Sequence, residues 1–194
     1  MTKEQLINQI NKSSIKKVAD NPLFLYMTES VKRMVEKMGS NVEIEEDEIV
    51  TMVEVKNKYV LTEHNFLSVS LPDGSHIRFA PKNEKDVEIS RIISNTKGYG
   101  KLLMTLVLTA YSNSKLHDID GSLVLECTGS VGLGENKRDS SISEQSAFFR
   151  IFGFRMVGKY NPSYIKMKLT KLDDFKAFQE TMKTYLEIVS SQNK

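Results

Sequence analysis

Two glycines, Gly98 and Gly100, stand one residue apart in "NTKGYGKLLM" (Asn95 to Met104), just before a long apolar run. Ahead of them "VEISRII" (Val87 to Ile93) has the pattern of a strand, and Leu102 to Leu116 that of a well-buried helix. A strand, a glycine turn and a helix N-terminus together make an anion site. The first-turn N–H groups lack intrahelical partners, and the helix dipole favours negative charge there. Without Cβ atoms at Gly98 and Gly100 a phosphate could approach the backbone, and Lys97 and Lys101 add positive charge. The Gly-Lys-Ser/Thr ending of a P-loop is missing, and Leu103 stands where a third glycine of a dinucleotide fingerprint would fall. A tight turn without a ligand is the other reading of this segment.

Proton-transfer candidates flank it. Glu88 lies on the strand before the glycines, and Glu126 ends the short apolar strand "SLVLEC" (Ser122 to Cys127). Regular alternation would put Glu88, Ser90 and Ile92 on one face, and Ile89, Arg91 and Ile93 on the other. Glu88 with Arg91 could equally be a structural ion pair. Cys127, the only cysteine, excludes an internal disulfide or thiolate cluster and reads as a small core residue in a reducing cytoplasm. His64, His76 and His117 have no metal-ligand spacing.

The elements that must position these residues follow from periodicity. Thr2 and Gln5 suggest a capping box for a first helix carrying Leu6, Ile7, Ile10, Ile15 and Val18. Asn21-Pro22 opens a second, with Leu25, Tyr26, Val31, Met34, Val35 and Met38, stopping at Gly39. "VEIEEDE" (Val42 to Glu48) reads as a solvated acidic connection. Period-two strands then occupy Ile49 to Ala80, with "PDGS" at Pro72 to Ser75 as a hairpin turn. After "SLVLEC" comes a long glycine-rich loop (Thr128 to Ser141), carrying Lys137 and Arg138. A short helix over Ser143 to Phe152 is next, with Ala147, Phe148, Ile151 and Phe152 on one face. A strand pair around Asn161-Pro162 and a final amphipathic helix complete the chain.

The order predicts an α+β (mixed α/β) fold in one domain over 1–194. Helices and an acidic connection fill 1–48, the sheet core 49–170 with the glycine motif at 87–117, and a C-terminal helix 171–194. The chain has 194 residues, 40% of them hydrophobic and 27% charged, enough for one core without staples. A net charge of +2 gives no argument for nucleic acid. No segment reaches the ~18 to 20 apolar residues of a membrane span, so a cytoplasmic protein with no membrane partner is expected.

In that order, "NTKGYGKLLM", "SLVLEC" and "SEQSAFFRIFGFRMVGKY" resemble the GNAT superfamily of N-acetyltransferases. Its signature is Gln/Arg-x-x-Gly-x-Gly/Ala opening a helix, with a later Gly-Phe pair between a helix and a strand. Gly98 and Gly100 match the first element and Gly153-Phe154 the second. The resemblance covers Val87 to about Thr170. It implies a central mixed sheet of about seven strands flanked by helices, splayed open beside the glycine strand. Acetyl-CoA would be the co-substrate, its pyrophosphate on the N–H groups of Lys97, Gly98, Tyr99, Gly100, Lys101 and Leu102. Its pantetheine would lie along Ile92 and Ile93, and an N–H near Ile93 would polarise the thioester carbonyl. An amine acceptor, unidentified, would attack directly.

Three positions depart from the pattern, one of them Thr96, where the second motif position is often Gly. Asn95 replaces the usual Gln or Arg, and Phe149 stands where many members carry a Tyr that protonates the leaving thiolate. Ser143, Tyr160 and Tyr164 are substitutes for that acid, and Glu88 or Glu126 would serve as base. Two alternatives remain. One is a non-catalytic acyl-CoA-binding or interaction module, whose terminal helices and acidic patch could serve a partner or a homodimer. The other is an acyltransferase similar to acyl-homoserine-lactone synthases, suggested by "EISR" (Glu88 to Arg91).

Overall fold

Asn21 is the N-cap of the first described helix. Its side-chain oxygen accepts from the Phe24 N–H at 2.8 Å, and its amide donates to the carbonyls of Asn83 and Asp86. Pro22 follows at the first helical position, where a missing N–H has no cost. The computed structural model describes residues 16–17, 21–38, 42–55, 58–128, 141–159 and 161–169. Most of the expected first helix, Tyr160, nearly all of the Thr128 to Ser141 loop and the C-terminal helix lie outside those residues.

Three helices are described: α1 (Pro22–Met38), α2 (Tyr99–Leu116) and α3 (Ile142–Arg150). The strands are β1 (Lys16–Lys17), β2 (Glu43–Val55), β3 (Lys58–Ser70), β4 (His76–Pro81), β5 (Val87–Ile93), β6 (Leu123–Cys127), β7 (Phe154–Met156) and β8 (Ile165–Leu169). Seven of them run in the order β2-β3-β4-β5-β6-β8-β7, and the two-residue β1 also pairs with β3. This is the mixed α+β sheet flanked by helices that the sequence predicts. β5 and β6 form a parallel pair within a mostly antiparallel sheet, joined by α2 as the crossover.

Two sequence expectations are corrected here. The acidic stretch is not a connection: Glu43 to Glu48 form the first half of β2, paired with Ser70 to Asn65. Val42 and Ile44 pack against the core while Glu43 and Glu45 face outward, so alternation outweighs the charge run. Lys32 of α1 closes an ion pair with Glu46. Lys16–Lys17, placed in the first helix by periodicity, instead pairs in parallel with Thr62 and Glu63, where β3 extends beyond the end of β4.

One continuous core joins all three helices to one sheet face. Phe79 of β4 meets Phe24 of α1 edge-on, with ring centroids 5.8 Å apart. Val87, Ile89, Leu123, Leu125, Cys127 and Met167 continue that face. At α1 the buried stripe is Leu23, Phe24, Met27, Thr28, Val31, Val35 and Met38, and Leu25 is 49% exposed. At α3, Ser141 and Glu144 form a reciprocal capping box. Phe149 and Phe152 bury, whereas Ile151 is 66% exposed, so the face is rotated from the one periodicity suggested.

Candidate functional site

The ladder between β5 and β6 is short. Val87, Glu88 and Ile89 pair with Leu123, Val124 and Leu125, and pairing then stops although both strands run on. The β6-facing edge of Ser90 to Ile93 therefore has no strand partner among the described residues. On its other side the same stretch stays bonded to β4 up to the Ile93–His76 pair. An open backbone edge thus lies inside a sheet, at the C-terminal ends of two parallel strands. Ile92 and Ile93 are on that edge.

β5 carries a bulge that sequence alternation could not show. Arg78 pairs with Arg91 while Phe79 pairs with Ile89, leaving Ser90 as the extra residue. Its hydroxyl lies 3.4 Å from the Arg78 carbonyl. The bulge changes the phase, so Glu88, Arg91 and Ile93 share one face, and Val87, Ile89 and Ile92 the other. The expected grouping of Glu88 with Ser90 and Ile92 is thereby corrected.

The turn from β5 into α2 is held by the predicted hairpin. Ser75 is buried, and its hydroxyl accepts from the Asn95 N–H at 2.8 Å, while the Asn95 amide donates to the Asp73 carbonyl at 2.7 Å. Desolvation would raise the Asp73 pKa, but hydrogen bonds from Thr96 and Ser75 outweigh it and hold the carboxyl below its ordinary value. Asn95 is thus a clamp between two turns, a role invisible from its place in a motif.

Gly98 is the helix N-cap, with φ 95°, a left-handed conformation that favours glycine. Gly100 has a different reason. A Cβ there would lie 3.2 Å from Ser94 Cβ and 3.6 Å from Phe148 Cζ, and the Gly100 N–H donates to Ser94 Oγ at 2.9 Å. What approaches Gly100 so closely is the protein itself.

The expected phosphate cradle is consequently narrower. The Tyr99 N–H is bonded to the Thr96 carbonyl, and the Leu102 N–H closes the first turn onto the Gly98 carbonyl. Tyr99 packs against the core. The N–H groups of Lys97, Gly98 and Lys101 have no acceptor among the described residues. Lys97 and Lys101 are exposed, and the first turn of α2 holds no acidic residue. Positive charge at a helix N-terminus opposes the dipole, and a bound anion would relieve it.

The candidate acids and bases separate. Glu88 is held by Lys82, with Nζ to the two carboxylate oxygens at 2.9 and 3.0 Å, where β5 and β6 are still paired. Its ion-pair partner is Lys82 and not Arg91. Glu126 lies past the end of that ladder, paired across β8 with Lys166 at 3.3 Å. Lys166 Nζ also sits 5.3 Å from the Tyr164 ring centroid, so Glu126, Lys166 and Tyr164 form one group at the open end of β6. Phe149 is buried against Phe148 and Phe154. Cys127 is also buried, and desolvation pushes its thiol up to about 11.

No family model matches the chain, and no curated protein matches it. Among solved structures that match is a nourseothricin acetyltransferase, 13% identical with a TM-score of 0.36, covering 71% of this chain and 92% of that one. Among the described residues, no helix is long and apolar enough to cross a membrane.

Proposed function

We propose that the chain is a GNAT-like N-acyltransferase that moves an acetyl group from acetyl-CoA to an amine by direct transfer. The observation that carries this reading is the parallel β5–β6 pair. Its ladder stops at Ile89 and Leu125, and the N-terminus of α2 sits at the end of the freed edge. The open edge of Ser90 to Ile93 suits an extended amide-containing arm, which would add as a strand does. The pyrophosphate would rest on the N–H groups of Lys97, Gly98 and Lys101, between the two lysine side chains.

In the transfer, the acceptor nitrogen attacks the thioester carbonyl, the C–N bond forms, and the C–S bond breaks to release the thiolate. An N–H on the open edge near Ile93 would stabilise the oxyanion. Glu126 is the better-placed base for the acceptor's ammonium proton, because it stands where the strands have separated. Tyr164, in the same group, is the described hydroxyl suited to protonate the thiolate.

Phe149, and the ion pairs held by both carboxylates, support a second reading, an acyl-CoA-binding module without turnover. Incubation with isotope-labelled acetyl-CoA and an amine library separates the two. Labelled amide product supports transfer. Tight cofactor binding with no product beyond hydrolysis would leave the binding module.

A further inference from the structure

Arg78 and Arg91 are directly opposite each other across β4 and β5. Register partners in an antiparallel pair have Cβ atoms roughly 4.5 to 5.5 Å apart, and like charges so placed are destabilising. The bulge at Ser90 creates the pairing: regular alternation would have sent Arg91 to the core face. Arg78 is fixed in place, its guanidinium 4.1 Å from the Phe66 ring centroid, and its buried Nε has no hydrogen-bond partner. Arg91 is exposed. Neither guanidinium has a carboxylate partner among the described residues. On this face Glu88 is engaged by Lys82 and Glu126 by Lys166, and the exposed Glu43, Glu45 and Asp47 lie on β2, separated from β4 by β3.

We infer that Arg78 and Arg91 form an anion site that selects the acceptor, so that the preferred acceptor is an amine carrying a carboxylate or phosphate. This rests on the acyl-transfer reading for its biological meaning. Arg91 lies within the open edge assigned to the thioester arm, one residue, ~3.3 Å along the strand, from Ile92. An anionic group held there would leave a nearby amine within reach of the acyl carbon. Two guanidinium groups from facing strand positions would suit the oxygens of a carboxylate or phosphate better than a single lysine. The bound anion would also offset the repulsion between the two arginines.

The test is calorimetric binding of three amines matched in size: one bearing a carboxylate, one a phosphate, and one the neutral carboxamide. Each is titrated with and without acetyl-CoA. The native protein should bind at least one anionic amine 10-fold or more tighter than the carboxamide, and the better of the two identifies the anion. R91Q should abolish the discrimination while leaving the acetyl-CoA-induced rise in melting temperature unchanged, and R91K should restore part of it. Equal binding of carboxamide and anions, or discrimination that survives R91Q, would overturn the anion site. Loss of the acetyl-CoA response with discrimination intact would instead sink the acyl-transfer reading and leave the anion site standing.

Discussion

The Ser94 hydroxyl accepts the Gly100 N–H at 2.9 Å, and a Cβ on Gly100 would come within 3.2 Å of Ser94 Cβ. Gly98 has no atom within 4 Å of such a Cβ, but its φ is +95°. The two glycines therefore answer different demands, one steric and one conformational. Ala at position 98 should cost ~1 to 2 kcal/mol, and Asn there less, because it tolerates the left-handed region. Ala at position 100 should couple to Ser94, being more harmful in the native background than beside S94G, by ~0.5 kcal/mol or more. Urea denaturation of the single and double variants gives these differences.

The Lys97 and Lys101 side chains should serve the ligand and not the fold. Charge reversal at both (K97E with K101E) should weaken acetyl-CoA at least 10-fold, and the loss should shrink as salt rises. Thermal stability without ligand should hold or improve, since acidic residues suit a helix N-terminus. Calorimetry at two ionic strengths checks this.

Asp73 gives a pH prediction. Its folded pKa is lowered, so its stabilising contribution is present above its ordinary value of 3.8 and is lost as pH falls through the folded value. D73N should therefore melt lower than the native protein at pH 6 to 7. The gap should close at pH values below the folded pKa. A gap that stays constant through the acid range would show that the carboxylate charge is not what clamps the turn.

The acid–base assignments make opposite forecasts for two glutamates. E126Q should lower kcat by roughly 10²-fold or more, the usual scale of a general base. E88Q should change kcat little and remove only the ion pair to Lys82, worth up to about 1 kcal/mol for an exposed pair. Y164F should lower kcat less than E126Q, because a thiolate can leave unprotonated. Steady-state rates with a saturating acceptor distinguish the three.

Much of the fold was legible because periodicity and turn chemistry agreed. "VEISRII" is β5 residue for residue, Asn21-Pro22 opens α1, and Asp73-Gly74 turns the β3–β4 hairpin. The failures have specific causes. In Val42 to Glu48 the charges masked an alternation whose apolar half is only two residues. At Ser90 a single extra residue reversed the facing of everything after it, which no local pattern announces. Around Gly100, tertiary approach by Ser94 and Phe148 imitated the signature of a ligand. The part of the site that could be found from sequence was the strand, turn and helix. The lone N–H groups of Lys97, Gly98 and Lys101, and the Arg78–Arg91 pair, depend on register and hydrogen bonds between distant segments.

The most direct measurement of the central claim is thermal unfolding with acetyl-CoA, with NAD and ATP as anionic controls. At ~100 times Kd a ligand adds ~2.7 kcal/mol to the native state, a rise of roughly 5 to 10 °C for a domain of this size. Acetyl-CoA should produce that rise, NAD and ATP should produce no comparable one, and reversal of both lysines should abolish it. A flat response to acetyl-CoA would contradict that claim, and would leave Gly98 and Gly100 as an ordinary turn.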